Sequence, residues 1–318
     1  MSKSRAERAI EWSIDRGVID PNERDTTIYF WGGEPFMAWK TMLHTLERYP
    51  QLFFCTNTNG VAINDSNSDI LRQHMYHFRV TLSLGSAYDK FGGIDKALVR
   101  LKPAIDLIKE SHGGWGVNFT VDNVDRMYED FVMMHESGIH NILIDMPTHR
   151  EITAEYQEKF IDAYLKILFG FHKDKNSGFK FFDKHMSEEM AEKPKRLRYC
   201  GSGVTRLLVD FDGDVYPCDG MYIVKRMKLG NIYKEVDFSK LTMLERLADN
   251  PEKLYMYCND CEIGDVCPRA KCMGMNIELT GNMFKPDPNW CMICKTYAKL
   301  NQKYHELKRE KSYETSNI

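Results

Sequence analysis

No stretch of this 318-residue chain approaches the run of about 18 apolar residues that a membrane-spanning helix needs, and the N-terminal MSKSRAERAIEWSIDRG has no apolar core of signal-peptide length. The expectation is a cytoplasmic protein with no membrane partner. Charge of one sign is equally scarce. The 43 Lys and Arg against 46 Asp and Glu leave a formal net charge of −3, too weak a field to gather a polyanion, so nucleic acid is not expected as a partner. Cysteine is nearly missing from the first 199 residues, where Cys55 stands alone in LFFCTNTNG and reads as a small buried apolar residue. Size does not demand staples, since 43% hydrophobic residues can bury a substantial core in one large domain or two ordinary ones. The eight cysteines after position 199 therefore need a joint explanation. In a reducing cytosol, a one-sided cluster of thiols points to metal.

What the first half does contain is a βα rhythm. Ser4-Arg5-Ala6-Glu7 has the spacing of a capping box, Ala6, Ala9, Ile10 and Ile14 recur at helical spacing, and Gly17 sits where a helix would stop. Short β-branched and aromatic runs follow at 26–31, 51–56, 78–84, 115–121 and 141–146, with helix-length segments between them. Strands this apolar, alternating with helices, predict parallel βα units. A helix in such a fold joins two parallel strands, so a leading helix with no strand before it makes the chain look as if it begins one strand late. The alternative is a helix that merely covers a sheet edge.

Ligand sites in parallel α/β sheets lie at the carboxyl ends of the strands. Those ends read WGGEPF, TNTNG and SLGSAYD after the first three strands. Paired glycines at 32 and 33 let a ligand approach the backbone, Pro35 fixes the turn, and Glu34 is suited to facing an ammonium group.

The rhythm stops in the lysine-rich stretch 176–200, which suggests a domain boundary. TRLLVDFDGDVYPCDG reads as a hairpin turned by Asp212-Gly213, with Cys200 before it and Cys218 at its far end. The remaining thiols run Cys258-x2-Cys261-x5-Cys267-x4-Cys272, then Cys291-x2-Cys294. Two C-x2-C hooks would suit a zinc ribbon and leave four thiols for a second site. Cubane iron–sulfur clusters also take four cysteines each from mixed spacings, and spacing alone leaves both readings open.

Cys200-x12-Gly213-x4-Cys218, followed by Cys258, Cys261, Cys267, Cys272 and Cys291, resembles the signature of radical S-adenosylmethionine (AdoMet) enzymes with a SPASM/twitch extension, as in anaerobic sulfatase maturases and peptide maturases. One spacing departs: x4 stands between Cys267 and Cys272 where x3 is usual. LGNI at 229–232 resembles the stretch that follows the hairpin, and the likeness runs from about residue 5 to 295. The resemblance implies an α/β fold: a partial (β/α)6 TIM-like barrel lacking its first strand over 1–185, an irregular Cys-rich iron–sulfur domain with a β-hairpin over 186–295, and a C-terminal helix and tail over 296–318. It implies two auxiliary [4Fe–4S] clusters, one on Cys258, Cys261, Cys267 and Cys291, the other on Cys200, Cys218 and Cys272, with Cys294 a spare thiol available as the missing ligand.

By the same resemblance Gly32, Gly33, Glu34 and Pro35 receive the amino group of AdoMet, Thr58-Asn59-Gly60 is the element after the next strand, and Ser83 touches AdoMet. The aspartate and the arginine that usually accompany that serine are not evident. Asp219 resembles a catalytic proton acceptor. The implied activity is hydrogen abstraction from a peptide or protein substrate by a 5′-deoxyadenosyl radical, with an electron donor such as flavodoxin or ferredoxin. The C-x3-C-x2-C triplet of the radical AdoMet cluster is not in the sequence. The expectation is an N-terminally truncated enzyme that is inactive as written, and the alternative is a degenerate, non-catalytic zinc- or cluster-binding module that grips a peptide or partner.

Overall fold

The computed structural model describes residues 1–23, 26–85, 91–111, 115–148, 150–171, 201–249, 256–258, 260–263, 267 and 272–316. They fall into two compact units, Met1–Pro147 with Asp162–Phe182 and Thr148–Ile161 with Asp183–Ile318.

In the first unit, α1 (Lys3–Asp15) buries Ala6, Ile10 and Trp12. Its cap is Ser2, whose hydroxyl accepts from the Arg5 N–H at 3.4 Å, so the expected capping box at Ser4 and Glu7 is not formed. The Glu7 carboxylate is drawn instead to His44 Nε2 at 2.8 Å on α2 (Trp39–Arg48). The predicted stop holds: Gly17 has φ 68° and donates to the Ile14 carbonyl at 2.9 Å.

The five expected strands are present as β1 (Thr27–Phe30), β2 (Phe53–Thr58), β3 (Phe78–Leu84), β4 (Gly116–Thr120) and β5 (Ile142–Asp145), a parallel sheet in sequence order. Between them run α2, α3 (Asp65–His74), α4 (Ile94–Arg100), α5 (Lys102–Glu110) and α6 (Met127–Glu136). The registers Thr58↔Leu82 and Leu84↔Phe119 place Thr58, Val80, Leu82, Phe119 and Ile144 on one face, where all are buried. The opposite face carries Asn57, Thr81, Ser83, Asn118 and Thr120, all half-buried. A parallel sheet ordinarily buries apolar residues on both faces, so this polar face marks the side on which chemistry belongs.

The second unit holds the predicted hairpin, β6 (Leu208–Val209) and β7 (Asp214–Tyr216), turned at Gly213 with φ 85°. Asp210 Oδ1 steadies the turn by accepting from the N–H groups of Asp212 and Asp214 at 2.8 and 2.9 Å. A third strand, β8 (Gly230–Asn231), pairs with β7. Its helices are α8 (Asp219–Tyr222), α9 (Thr242–Asp249), α10 (Met273–Thr280) and α11 (Pro288–Ser316), while α7 (Ala154–Phe171) begins in this unit and belongs to the first from Asp162 onward. The C-terminal helix thus starts eight residues before the expected 296, because Asp287 accepts from the Trp290 N–H at 2.9 Å and Pro288 occupies the first turn. Its opening turns are tied to the first turn of α7 and to the residue stretch before it: Gln157 Nε2 donates to Thr296 Oγ1 at 2.8 Å, and the Ile152 N–H donates to Asn289 Oδ1 at 2.9 Å. Among the described residues, no helix is long and apolar enough to cross a membrane.

Candidate functional site

The loops after β1 and β2 are locked together through one carboxylate. Glu34 Oε1 accepts from Thr58 Oγ1 at 2.7 Å and from the Phe36 N–H at 3.1 Å, while Oε2 accepts from the Asn59 N–H at 2.9 Å. Thr58 in turn accepts from the Gly60 N–H at 3.0 Å. Glu34 therefore caps the 3-10 turn Pro35–Ala38 and fastens it to the next strand end. Three of the roughly four acceptor positions of Glu34 are taken by the chain itself, which leaves one for a ligand such as the expected ammonium group. The open part of the loop is its backbone: a side-chain carbon added at Gly32 or Gly33 would meet nothing within 4 Å.

Gly60 cannot carry a side chain. Its φ is +77°, and a Cβ there would collide with Leu82 Cδ1 while lying 3.5 Å from both Leu101 and Ala104. Ser83 is set apart from this latch. Thr58 and Leu82 are register partners on the buried face, so Ser83 points to the polar face, beside its own partner Asn118. The amide oxygen of Asn118 is buried there with no hydrogen-bond partner. Cys55 lies half-buried on that face, in register with Arg79, and burial pushes its thiol up to about 11.

Two of the late cysteines converge through a glycine contact. Cys218 precedes α8 and Cys272 precedes α10, and both sulfurs point at Gly220: a Cβ at that residue would lie 3.0 Å from Cys272 Sγ and 3.8 Å from Cys218 Sγ. The two short helices approach so closely that a Cβ on Gly274 would overlap the Gly220 carbonyl. Cys258 and Cys261 form a turn in which the Cys261 N–H donates to the Cys258 carbonyl at 3.1 Å. Glu262 on that turn meets Lys295 of α11 at 3.0 Å, and Lys295 lies within electrostatic reach of both Cys261 and Cys291. Cys267 is half-buried, Cys294 is buried on α11, and Cys200 lies outside the described residues. Among the described residues, no three His, Cys, Asp or Glu side chains converge tightly enough for a single ion. Cys218 and Cys272 meet at Gly220, and Cys261 and Cys291 lie within electrostatic reach of Lys295, thiol donors of the type that iron–sulfur clusters take.

Residues 200–262 match the sequence profile of SPASM, an iron–sulfur cluster-binding domain. A cysteine-type anaerobic sulfatase-maturating enzyme from Clostridium novyi is 23% identical over 291 residues, covering 82% of this chain and 76% of that one. A serine-type anaerobic sulfatase-maturating enzyme from Bacteroides thetaiotaomicron is 21% identical over 353 residues, covering 93% and 80%. The fold is that of native anSMEcpe with bound AdoMet and Kp18Cys peptide, with a TM-score of 0.61 at 18% identity over 92% of this chain and 86% of that one. Residues 200–262 thus carry the SPASM profile, and the chain as a whole is similar in sequence and fold to anaerobic sulfatase-maturating enzymes.

The matched profile is that of an iron–sulfur cluster-binding domain, and cysteine is the ligand type that such clusters take. Burial pushes the Cys218 thiol above its ordinary value, against hydrogen bonds with Ser202 and the Met221 backbone that favour the thiolate. Metal would draw off that proton. Asp219 is exposed at the start of α8, directly after Cys218. Sequence reasoning missed Asn118, although Asn118, Thr120 and Asp122 alternate through VNFTVD with the period of two that marks one strand face. It also missed Lys295 and Glu262, which nothing in their local sequence distinguishes from ordinary surface charge.

Proposed function

We propose that this chain serves as a radical SAM enzyme that modifies a peptide or protein, with the maturation of a sulfatase-like substrate as the nearest precedent among its relatives. The observation that carries the reading is the paired approach of Cys218 and Cys272 over Gly220, a thiol arrangement made by backbone contact. In this reading one auxiliary [4Fe–4S] cluster is held by Cys258, Cys261, Cys267 and Cys291, and a second by Cys200, Cys218 and Cys272, with Cys294 the remaining thiol. The five-stranded sheet is part of a (β/α)6 barrel. AdoMet rests on the open backbone of Gly32 and Gly33 and on Thr58–Gly60, with Ser83 and Asn118 on the polar face beside the substrate. When bound and reduced, the cofactors supply hydrogen abstraction. The chain supplies orientation and exclusion of water, and Asp219 takes up the proton that the substrate releases.

Anaerobic reconstitution followed by reduction in the presence of AdoMet tests this reading. The 318 residues contain no C-x3-C-x2-C triplet. These 318 residues are expected to bind iron and sulfide but, with no such triplet, to yield no 5′-deoxyadenosine on reduction with AdoMet. Production of 5′-deoxyadenosine by the 318 residues alone would contradict the reading. Stoichiometric zinc without iron would favour a peptide-gripping module in its place.

A further inference from the structure

The ion pair between Glu262 and Lys295 joins the Cys258–Cys261 turn to α11, the helix that carries Cys291. Glu262 directly follows Cys261 in the C-x2-C turn, and Lys295 lies four residues after Cys291 on α11, the spacing that stacks two side chains on one helical face. Lys295 Nζ meets Glu262 Oε1 at 3.0 Å. The cation is the more enclosed partner, its side chain 32% exposed against 66% for the carboxylate. A pair this exposed contributes little to stability. Its placement against two thiols gives it a different use.

We propose that Lys295 and Glu262 set the reduction potential of the cluster assigned to Cys258, Cys261, Cys267 and Cys291. The inference rests on that assignment. A cubane held by four thiolates gains one negative charge on reduction, and its potential responds to net charge and to hydrogen bonds at its sulfurs. A cation beside two of those sulfurs favours the reduced form, and the carboxylate that faces the cation weakens its effect. Lys295 is a tuning residue that need not touch substrate or AdoMet.

The test is a dithionite titration of the reconstituted full chain, followed by electron paramagnetic resonance, with C261A used to identify which signal belongs to this cluster. K295Q is expected to disfavour reduction by roughly threefold to tenfold in the equilibrium constant, tenfold being about 59 mV for one electron. E262Q is expected to favour reduction, by a smaller factor, and K295R to keep the original potential. Opposite signs separate electrostatic tuning from a merely structural role, because both glutamine variants break the same ion pair and a structural role would move them in the same direction. Shifts of equal sign, or none in either variant with iron content intact, overturn the inference while leaving the cluster assignment standing. Should K295Q fail to retain iron, E262Q decides alone, and an unchanged or lowered potential overturns the proposal. A wild-type chain that takes up no iron removes the cluster assignment and the inference with it.

Discussion

Gly274 has no room for even a methyl group, because a Cβ there would overlap the carbonyl of Gly220. Substituting alanine must therefore push α10 away from α8, and Cys272 moves away from Cys218 with it. G274A is expected to destabilise by about 1–3 kcal/mol through overpacking and to lose about half of the iron that the reconstituted chain binds, if two cubanes of equal iron content are present. Colorimetric iron and sulfide assays read this directly, and full iron content in G274A would refute the coupling. Cysteine spacing made the thiols legible in the sequence. The two glycines that bring them together were not, since GMY and MGM look like any small-residue step until their backbones are seen to touch. The same holds at Glu34, whose place in the chain suggested a ligand contact and whose partners turn out to be Thr58, Asn59 and Phe36.

At the scale of elements, period-two and helical patterning located all five parallel strands and the first helix, because each element follows from its own side chains. β8 escaped detection because two residues carry no period, and its pairing depends on β7 from a distant part of the chain. The start of α11 was signalled by Asp287-Pro288, a capping pair overshadowed by the nearby cysteines. The end of α3 carries a pH response. His74 and the 2%-exposed His77 pack at a ring-centroid distance of 5.2 Å, and His77 also lies against Phe54. Burial lowers the pKa of both; for His77 the neighbouring His74 lowers it further, and the backbone of Leu46 opposes this only in part. Among the described residues the buried ring nitrogens of His77 have no close hydrogen-bond partner, the Leu46 backbone being only a weak one. A depressed histidine leaves the unfolded chain binding more protons, so stability is full above the unfolded value of about 6.5 and is lost as pH falls below it. Urea midpoints are expected to drop between pH 7.5 and pH 5.5, and H77L to flatten that dependence. A midpoint independent of pH over this range would show that the pair stays solvated.

For the whole molecule, thiol chemistry and sheet chemistry fall in different compact units: seven described cysteines belong to the second unit, and only Cys55 to the first. Removing iron with a chelator is expected to speed amide hydrogen exchange in 201–249 and 272–316 and to leave 27–145 unchanged. Uniform acceleration across both would show that the clusters hold more than their own unit. The kinship was legible from cysteine order because an iron–sulfur cage dictates ligand type and approximate spacing, while the polar sheet face emerges only from register. The Glu34 latch has one more consequence. Since three of its roughly four acceptor positions are filled by groups of the chain, the strand-end loop is braced by its own contacts, much as a keyhole is cut before the key. Binding there need not freeze the loop, and the affinity that would otherwise be lost to ordering is retained for discrimination among ligands.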